Sequence, residues 1–327
     1  MRRRSLLLGL AAGLAAAAWV PAAGAAEGWP QRPVKLVVPF PAGGNVDAYA
    51  RVFAPALARR LGQSVVIENK AGATGAIGVE SVARSEPDGY TVLLGNVTSV
   101  VGTVALNAPL HTDPLTQLMP VCTMVDNEVV LFADPSAGIR SLDDLKAKAR
   151  SAPVSFGSSG SGSISHLATL QLLDHIGVLA MHVPYKGNGQ FLVDLLAGHI
   201  QLGMLDLTNA GQYVAAGKLA PLAVTGSSRF PELPDVPATS ELGITRPSFS
   251  AWIGLLLPAG TSPAIAARLE QAAREAIADA DVRAFAGKNG NKEAFRDTAA
   301  ARELIAQGLA DWGAFASSDL FTKSASK

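Results

Sequence analysis

Val34-Lys35-Leu36-Val37-Val38-Pro39-Phe40-Pro41-Ala42-Gly43-Gly44-Asn45-Val46-Asp47 is the stretch that decides the fold of this 327-residue chain. It opens on a valine-rich apolar run, which suits a buried strand. Two prolines and the Gly43-Gly44 pair then break the pattern. From Ala48 to Leu61 the residues Val52, Phe53, Leu57 and Leu61 fall near helical spacing, and Gly62 stops the helix. The reading is strand, glycine turn, helix. A helix N-terminus leaves backbone N–H groups unpaired and carries partial positive charge. Glycine lets a ligand come close to that backbone. The loop is therefore half of an anion site. A second loop, Phe156-Gly157-Ser158-Ser159-Gly160-Ser161-Gly162-Ser163, follows a short strand near Val154 and opens another helix. Together they predict two lobes closing on one small anion.

Outward from the first loop, strand and helix patterns alternate, which predicts α/β layers with parallel strands. Val65 to Glu68 reads as a strand, Gly72-Ala73-Thr74-Gly75 as a helix-opening loop, Ile77 to Ser85 as a helix and Tyr90 to Gly95 as a strand. After Gly95 the rhythm changes, and Pro109, Pro114 and Pro120 mark irregular chain. A second α/β unit covers 120–225. It has strands at 129–133, 154–156, 181–183, 201–205 and 222–225, and helices from Ser141 (an N-cap), at 165–175 and at 189–197. A strand at 251–257 and alanine-rich helices at 263–278 and 299–316 finish the chain.

The chain opens with Arg2-Arg3-Arg4, an apolar run from Leu6 to Val20 and small residues through Ala26. This is the pattern of an export signal over 1–26, cleaved near Ala25 or Ala26. Arg3-Arg4-Ser5-Leu6-Leu7 also fits a twin-arginine signal, with ordinary Sec export the other route. The apolar run is short for a spanning helix, which needs about 20 residues. The 27 basic and 27 acidic residues become 24 against 27 once Arg2, Arg3 and Arg4 leave. That balance argues against nucleic acid as a partner. Cys122 is the only cysteine and the five histidines lack metal-ligand spacing, so neither a disulfide, a metal nor any other cofactor is expected.

An ordered set of motifs resembles the tripartite tricarboxylate transporter solute-binding proteins, the Bug receptors. It runs from Val34–Gly44 with Asp47 and Arg51, through Val66–Ala73, Pro87-Asp88-Gly89-Tyr90-Thr91, Phe156–Gly160 and His166-Leu167-Ala168. It continues through His182–Gly187, Ala216–Leu219 and Leu233–Pro237 to Trp252 with Pro258–Thr261. The resemblance implies a type II periplasmic binding protein fold, an α/β architecture of two lobes with a ligand cleft between them. Lobe I is expected at 27–125 plus 229–327 and lobe II at 126–228. It implies a periplasmic receptor, not an enzyme, that captures a small organic carboxylate as a monomer and delivers it to membrane permease subunits. A sensory protein presenting ligand to a membrane kinase would share that fold. A secreted hydrolase is the rival from another class, but no G-x-S-x-G elbow occurs.

The resemblance also nominates site residues. Phe40, Gly43, Gly44, Asn45 and Val46 would grip a carboxylate, largely through backbone N–H. Asp47 would repel one if it faced the ligand, so helix capping is its stronger reading. Ser158, Ser159, Ser161, Gly162 and Ser163 would supply neutral donors from lobe II. His166 would either donate from behind that loop or pack in the core. Thr74, Asn96, Tyr185 and Asp206 complete the set, with Tyr185 walling the cleft. Val46, Thr74 and Leu207 stand where the family commonly has polar residues. A pocket with fewer donors predicts a ligand with an apolar or aromatic body.

Overall fold

The computed structural model describes residues 28–106, 112–226, 228–245, 249, 251–318 and 321. The export segment expected at 1–26 lies outside them. The first part runs β1 (Val34–Val38), α1 (Asn45–Leu61), β2 (Val65–Asn69), α2 (Ala76–Ala83), β3 (Thr91–Asn96), a π-helical turn (Thr98–Gly102), α3 (Thr103–Ala105) and β4 (Leu118–Asn127). The middle runs β5 (Val130–Ala133), α4 (Leu142–Ser151), β6 (Ser155–Ser158), α5 (Ile164–His175), β7 (Met181–Pro184), α6 (Asn188–Leu196), β8 (Leu202–Leu205), α7 (Leu207–Ala215) and β9 (Ala220–Val224). The chain ends with β10 (Ala251–Pro258), α8 (Pro263–Ile277), α9 (Ala280–Lys288), β11 (Asn291–Arg296) and α10 (Thr298–Ala316).

The strands form two sheets, ordered β11-β4-β10-β3-β1-β2 and β7-β6-β8-β5-β9. Both are mixed rather than parallel. The βαβ units pair in parallel (β1 with β2 and β3, β6 with β7 and β8), while β4, β5, β9, β10 and β11 pair antiparallel. The reason is topological. The chain passes between the sheets from β4 to β5 and from β9 to β10, and these strands turn back instead of following a crossover helix. The two passages are tied together: Val129 N–H donates to Thr225 Oγ1 at 3.0 Å and Thr225 N–H to Val129 O at 2.8 Å.

β4 occupies the segment expected to be irregular. Pro120 fits in it because the pairing with β10 shifts between Leu255–Cys122 and Leu256–Pro120, and a bulge excuses the missing N–H. α7, α9 and β11 were not legible as elements. The side of the first sheet that carries α1 and α8 is closed by Tyr49, Phe53, Leu57, Leu269 and Ala273, all essentially without solvent contact. A second cluster joins the two sheets through residues such as Val100, Phe156, Leu167 and Trp312.

Candidate functional site

The loops after β1, β2 and β3 in the first sheet and after β6, β7 and β8 in the second line one cavity of about 930 Å³. That is within the usual size of a small-molecule site. Asn127 and Val129, on the passage between the sheets, and Trp252 on β10 line it as well.

The helix starts are of two kinds, and both occur around this cavity. α4, α5, α7, α9 and α10 start on Ser141, Ser163, Asp206, Asp279 and Asp297, whose side chains each accept a first-turn N–H. α1, α2 and α6 start instead on Gly44, Gly75 and Gly187, with no side-chain cap. All three glycines line the cavity. At α1 and α6 uncapped N–H groups therefore meet one space and favour an anion. At α2 the tight turn before the helix already uses Gly75 N–H and Ala76 N–H, which donate to Gly72 O and Ala73 O. Gly44 is the most telling. Its φ of −77° is open to any residue, and an added Cβ would meet nothing closer than Pro41 O at 3.5 Å. Neither backbone nor packing demands glycine there.

Asp47 braces this loop from behind. It is 1% exposed and does not line the cavity. Its carboxylate accepts from Gly43 N–H at 2.9 Å, Asn69 Nδ2 at 2.9 Å and Arg51 Nε at 2.8 Å. Asn69 also donates to Phe40 O at 3.1 Å. Burial pushes the carboxyl up, but Arg51, Gly43 and Asn69 together hold it below its ordinary value. Asp47 is thus the third residue of α1 reaching back to the residue before the N-cap, and not the cap itself. Phe40, Gly43, Gly44, Asn45, Val46, Thr74 and Asn96 do line the cavity. Thr74 and its neighbour Ala73 hold left-handed backbone, φ 57° and 46°. Such strain persists only where the surrounding structure over-determines it. Asn96 Oδ1 accepts from Ser99 N–H at 3.0 Å, anchoring the π-helical turn.

The serine loop is arranged differently from its expected role. Ser159 and Gly160 line the cavity, as do Ile164 and Ser165. Ser158, Gly162, Ser163 and His166 are buried behind them, and Ser161 faces solvent away from the cavity. The hydroxyls are engaged locally. Ser163 Oγ donates to Gly160 O at 2.7 Å, and Ser158 Oγ bonds Gly160 O at 3.1 Å and His182 Nε2 at 2.7 Å. Thr98 Oγ1 accepts Ile164 N–H at 3.4 Å, so the start of α5 is occupied from the other sheet's side. The uncapped helix start on this side of the cavity belongs to α6.

Tyr185 lines the cavity, but its hydroxyl donates to Asp194 Oδ2 at 2.6 Å. Burial and that carboxylate push it up to about 12. Lys186 is the cation of the lining and Asp206 its carboxylate. Asp206 accepts from Asn209 N–H at 3.0 Å, Asn209 Nδ2 at 2.9 Å and Asn188 Nδ2 at 3.4 Å. Burial raises its carboxyl despite these donors. Across the cavity, Thr208 Oγ1 donates to Asn45 Oδ1 at 3.1 Å. Sequence reasoning missed Thr98, Asn127 and Ser165 and, on the loop after β7 that carries Tyr185, Lys186 and Asn188, the contribution of Gly187, Gly189 and Gln190. Of these, only the glycines of Lys186-Gly187-Asn188-Gly189 carried a signal. Ser158 and His182 make a close Ser–His pair, but the serine is fully buried and, among the described residues, no carboxylate bonds the ring. The described residues contain no cluster suited to a metal and no helix long and apolar enough to cross a membrane.

Two mixed sheets joined by strand passages, with the cavity between them, make the two-lobed architecture of a periplasmic binding protein. The family described as "Tripartite tricarboxylate transporter family receptor" matches residues 49–318. Protein BugT of Bordetella pertussis is 36% identical over 277 residues, 84% of this chain and 85% of its own. MatC from Rhodopseudomonas palustris, solved with bound malate, has a TM-score of 0.79 at 30% identity and covers 88% of this chain and 100% of its own. Another R. palustris protein, solved with adipate, has a TM-score of 0.80 at 31% identity and covers 88% and 97%. The chain belongs to the tripartite tricarboxylate transporter receptor family, whose members are solute-binding proteins.

Proposed function

We propose that this receptor captures a small organic carboxylate in the cavity and delivers it, unchanged, to membrane permease subunits after export through the 1–26 signal. The observation that carries this reading is the convergence of the glycine-capped helix starts at Gly44 and Gly187. The malate and adipate in two solved relatives agree with it. Lobe I is residues 27–125 with 229–327 and lobe II is 126–228. The lobes close about the Val129–Thr225 tie, and closure follows the ligand's preference for the closed state. Amide donors hold a carboxylate without a full buried ion pair, which suits a receptor that must release its cargo. Val46, Ile164, Met204, Trp252 and Ile253 in the lining favour a carboxylate with an apolar body. Among the described residues the lining serines Ser159 and Ser165 bond each other at 3.2 Å.

Thermal unfolding against di-, tri-, aromatic and branched carboxylates, with neutral sugars as controls, tests the reading. A ligand at about 100 times its dissociation constant adds roughly 2.7 kcal/mol. A shift confined to acids with apolar bodies is expected. Tight citrate binding with no response to such acids overturns the apolar-body assignment. A flat panel, with co-purified ligand ruled out by native mass spectrometry, overturns carboxylate capture.

A further inference from the structure

His166 and His182 come from different elements, α5 and β7, yet their rings stack with centroids 3.8 Å apart and planes 12° from parallel. Phe156 stacks on the His182 side at 5.0 Å, and Phe321 tilts against His166 at 5.7 Å. Each ring holds a different end of the serine loop. Gly162 N–H donates to His166 Nδ1 at 3.0 Å, and His182 Nε2 pairs with Ser158 Oγ at 2.7 Å. Between those anchors lie Ser159 and Gly160, which line the cavity. An Nδ1 that accepts a hydrogen bond carries no proton, so a neutral His166 carries its proton on Nε2. That Nε2 is buried without a partner. Buried donors are rarely left unpaired, so the ring's place is set by its Nδ1 bond and its stacking.

We propose that His166 and His182 are positioning residues: a neutral stacked pair that clamps the two ends of the 158–162 loop and so fixes the lobe II wall of the cavity. The ligand-binding part of this inference rests on the carboxylate-receptor reading above; the clamp itself does not. The surroundings suit a neutral pair. β6 brings no titratable side chain and β7 brings His182 alone, while Asp174 and His175 lie at the far end of α5. Burial, and for His166 the second ring, push the two imidazoles down to about 3 and about 4. Protonating His166 on Nδ1 would remove the acceptor for Gly162, and charging both rings would set two cations in contact.

The test uses hydrogen–deuterium exchange of the 158–163 amides at pH 7 in the unliganded protein, with ring ¹⁵N spectra of the wild type. His166→Asn places an oxygen near the Nδ1 position and cannot titrate; His182→Gln does the same for Nε2. The expected result is slow exchange in wild type, H166N and H182Q, and exchange at least tenfold faster in H166F and H182F. The wild-type His166 ring is expected to stay in the Nε2–H form from pH 8 to pH 5. Unchanged exchange in the phenylalanine variants overturns the clamp. So does H166N exchanging as fast as H166F, because packing alone would then explain the site. A His166 ring titrating near pH 6.5 overturns it without any variant, should the variants fold poorly. A carboxylate titration of the wild type is scored separately: no binding there with the exchange pattern intact defeats the receptor reading and leaves the clamp standing.

Discussion

Thr208 Oγ1 donates to Asn45 Oδ1 at 3.1 Å, joining the first turn of α7 to the first turn of α1 across the cavity. Asn45 also lines the cavity. Under the proposed function this bond would act as a latch between ligand contact and closure.

Thr208→Val keeps the shape of the side chain and removes the donor. A net hydrogen bond is worth about 0.5–1.5 kcal/mol, so carboxylate affinity is expected to fall roughly 2- to 12-fold. The loss should fall on the dissociation rate. Stopped-flow release of a bound ligand checks this; an unchanged off-rate removes the latch from the closure step.

Gly44→Leu separates binding from folding. Its backbone and the space around it admit a side chain, so the melting temperature of the unliganded protein should stay within about 2 °C, as for an unstrained surface change. Calorimetric titration should show binding lost by at least about 100-fold. A folded G44L that binds as well as wild type moves the ligand away from α1.

Asp47→Ala acts on both properties. It removes the charged acceptor of Gly43 N–H and one of the two acceptors of Asn69 Nδ2, both in part-buried bonds. Unfolding stability is expected to fall by about 1–3 kcal/mol, and carboxylate affinity with it as loop 40–44 loosens. Denaturant melts and a titration of the same variant read both. Wild-type stability would mean that Arg51 and Asn69 find other partners.

Stability should also depend on pH through His166 and His182. Both are held below the ordinary histidine value near 6.5. Below that value the unfolded chain takes up protons that the folded protein refuses. Their contribution is thus fully present above about pH 6.5, declines as pH falls, and levels near pH 3–4, where the folded rings protonate. The buried His166 alone accounts for a loss on the order of a few kcal/mol. Melts of wild type and H166N from pH 8 to pH 4 check the sign: the variant should lose less stability on acidification.

The lobe I half of the site was legible because its signals are local. A valine strand, two prolines and Gly43-Gly44 lie side by side, and a helix follows as read, though it starts at Asn45 and not at Ala48. The serine loop misled for a physical reason. Serine hydroxyls bond as readily to nearby backbone as to a ligand, and which they choose depends on the turn that Gly160 and Gly162 make. Asp47 was legible as a helix-start acid, but its reach back to Gly43 depends on Asn69, which only the fold brings near. Thr98, Asn127 and Trp252 come from three distant segments and meet only because β3, β10 and β4 lie side by side in the first sheet. β4 hid behind Pro120, which a bulge accommodates. β11 hid because Asn291-Lys292-Glu293 reads as exposed chain, and an edge strand tolerates such charges.

A crystal structure of the protein with a bound apolar-bodied carboxylate such as adipate tests the central claim most directly. The account predicts carboxylate oxygens within hydrogen-bond distance of the first-turn N–H groups of α1, with the far end of the ligand toward the start of α6. A carboxylate held by the serine hydroxyls or by Lys186 alone, with the α1 N–H groups left to water, would contradict it.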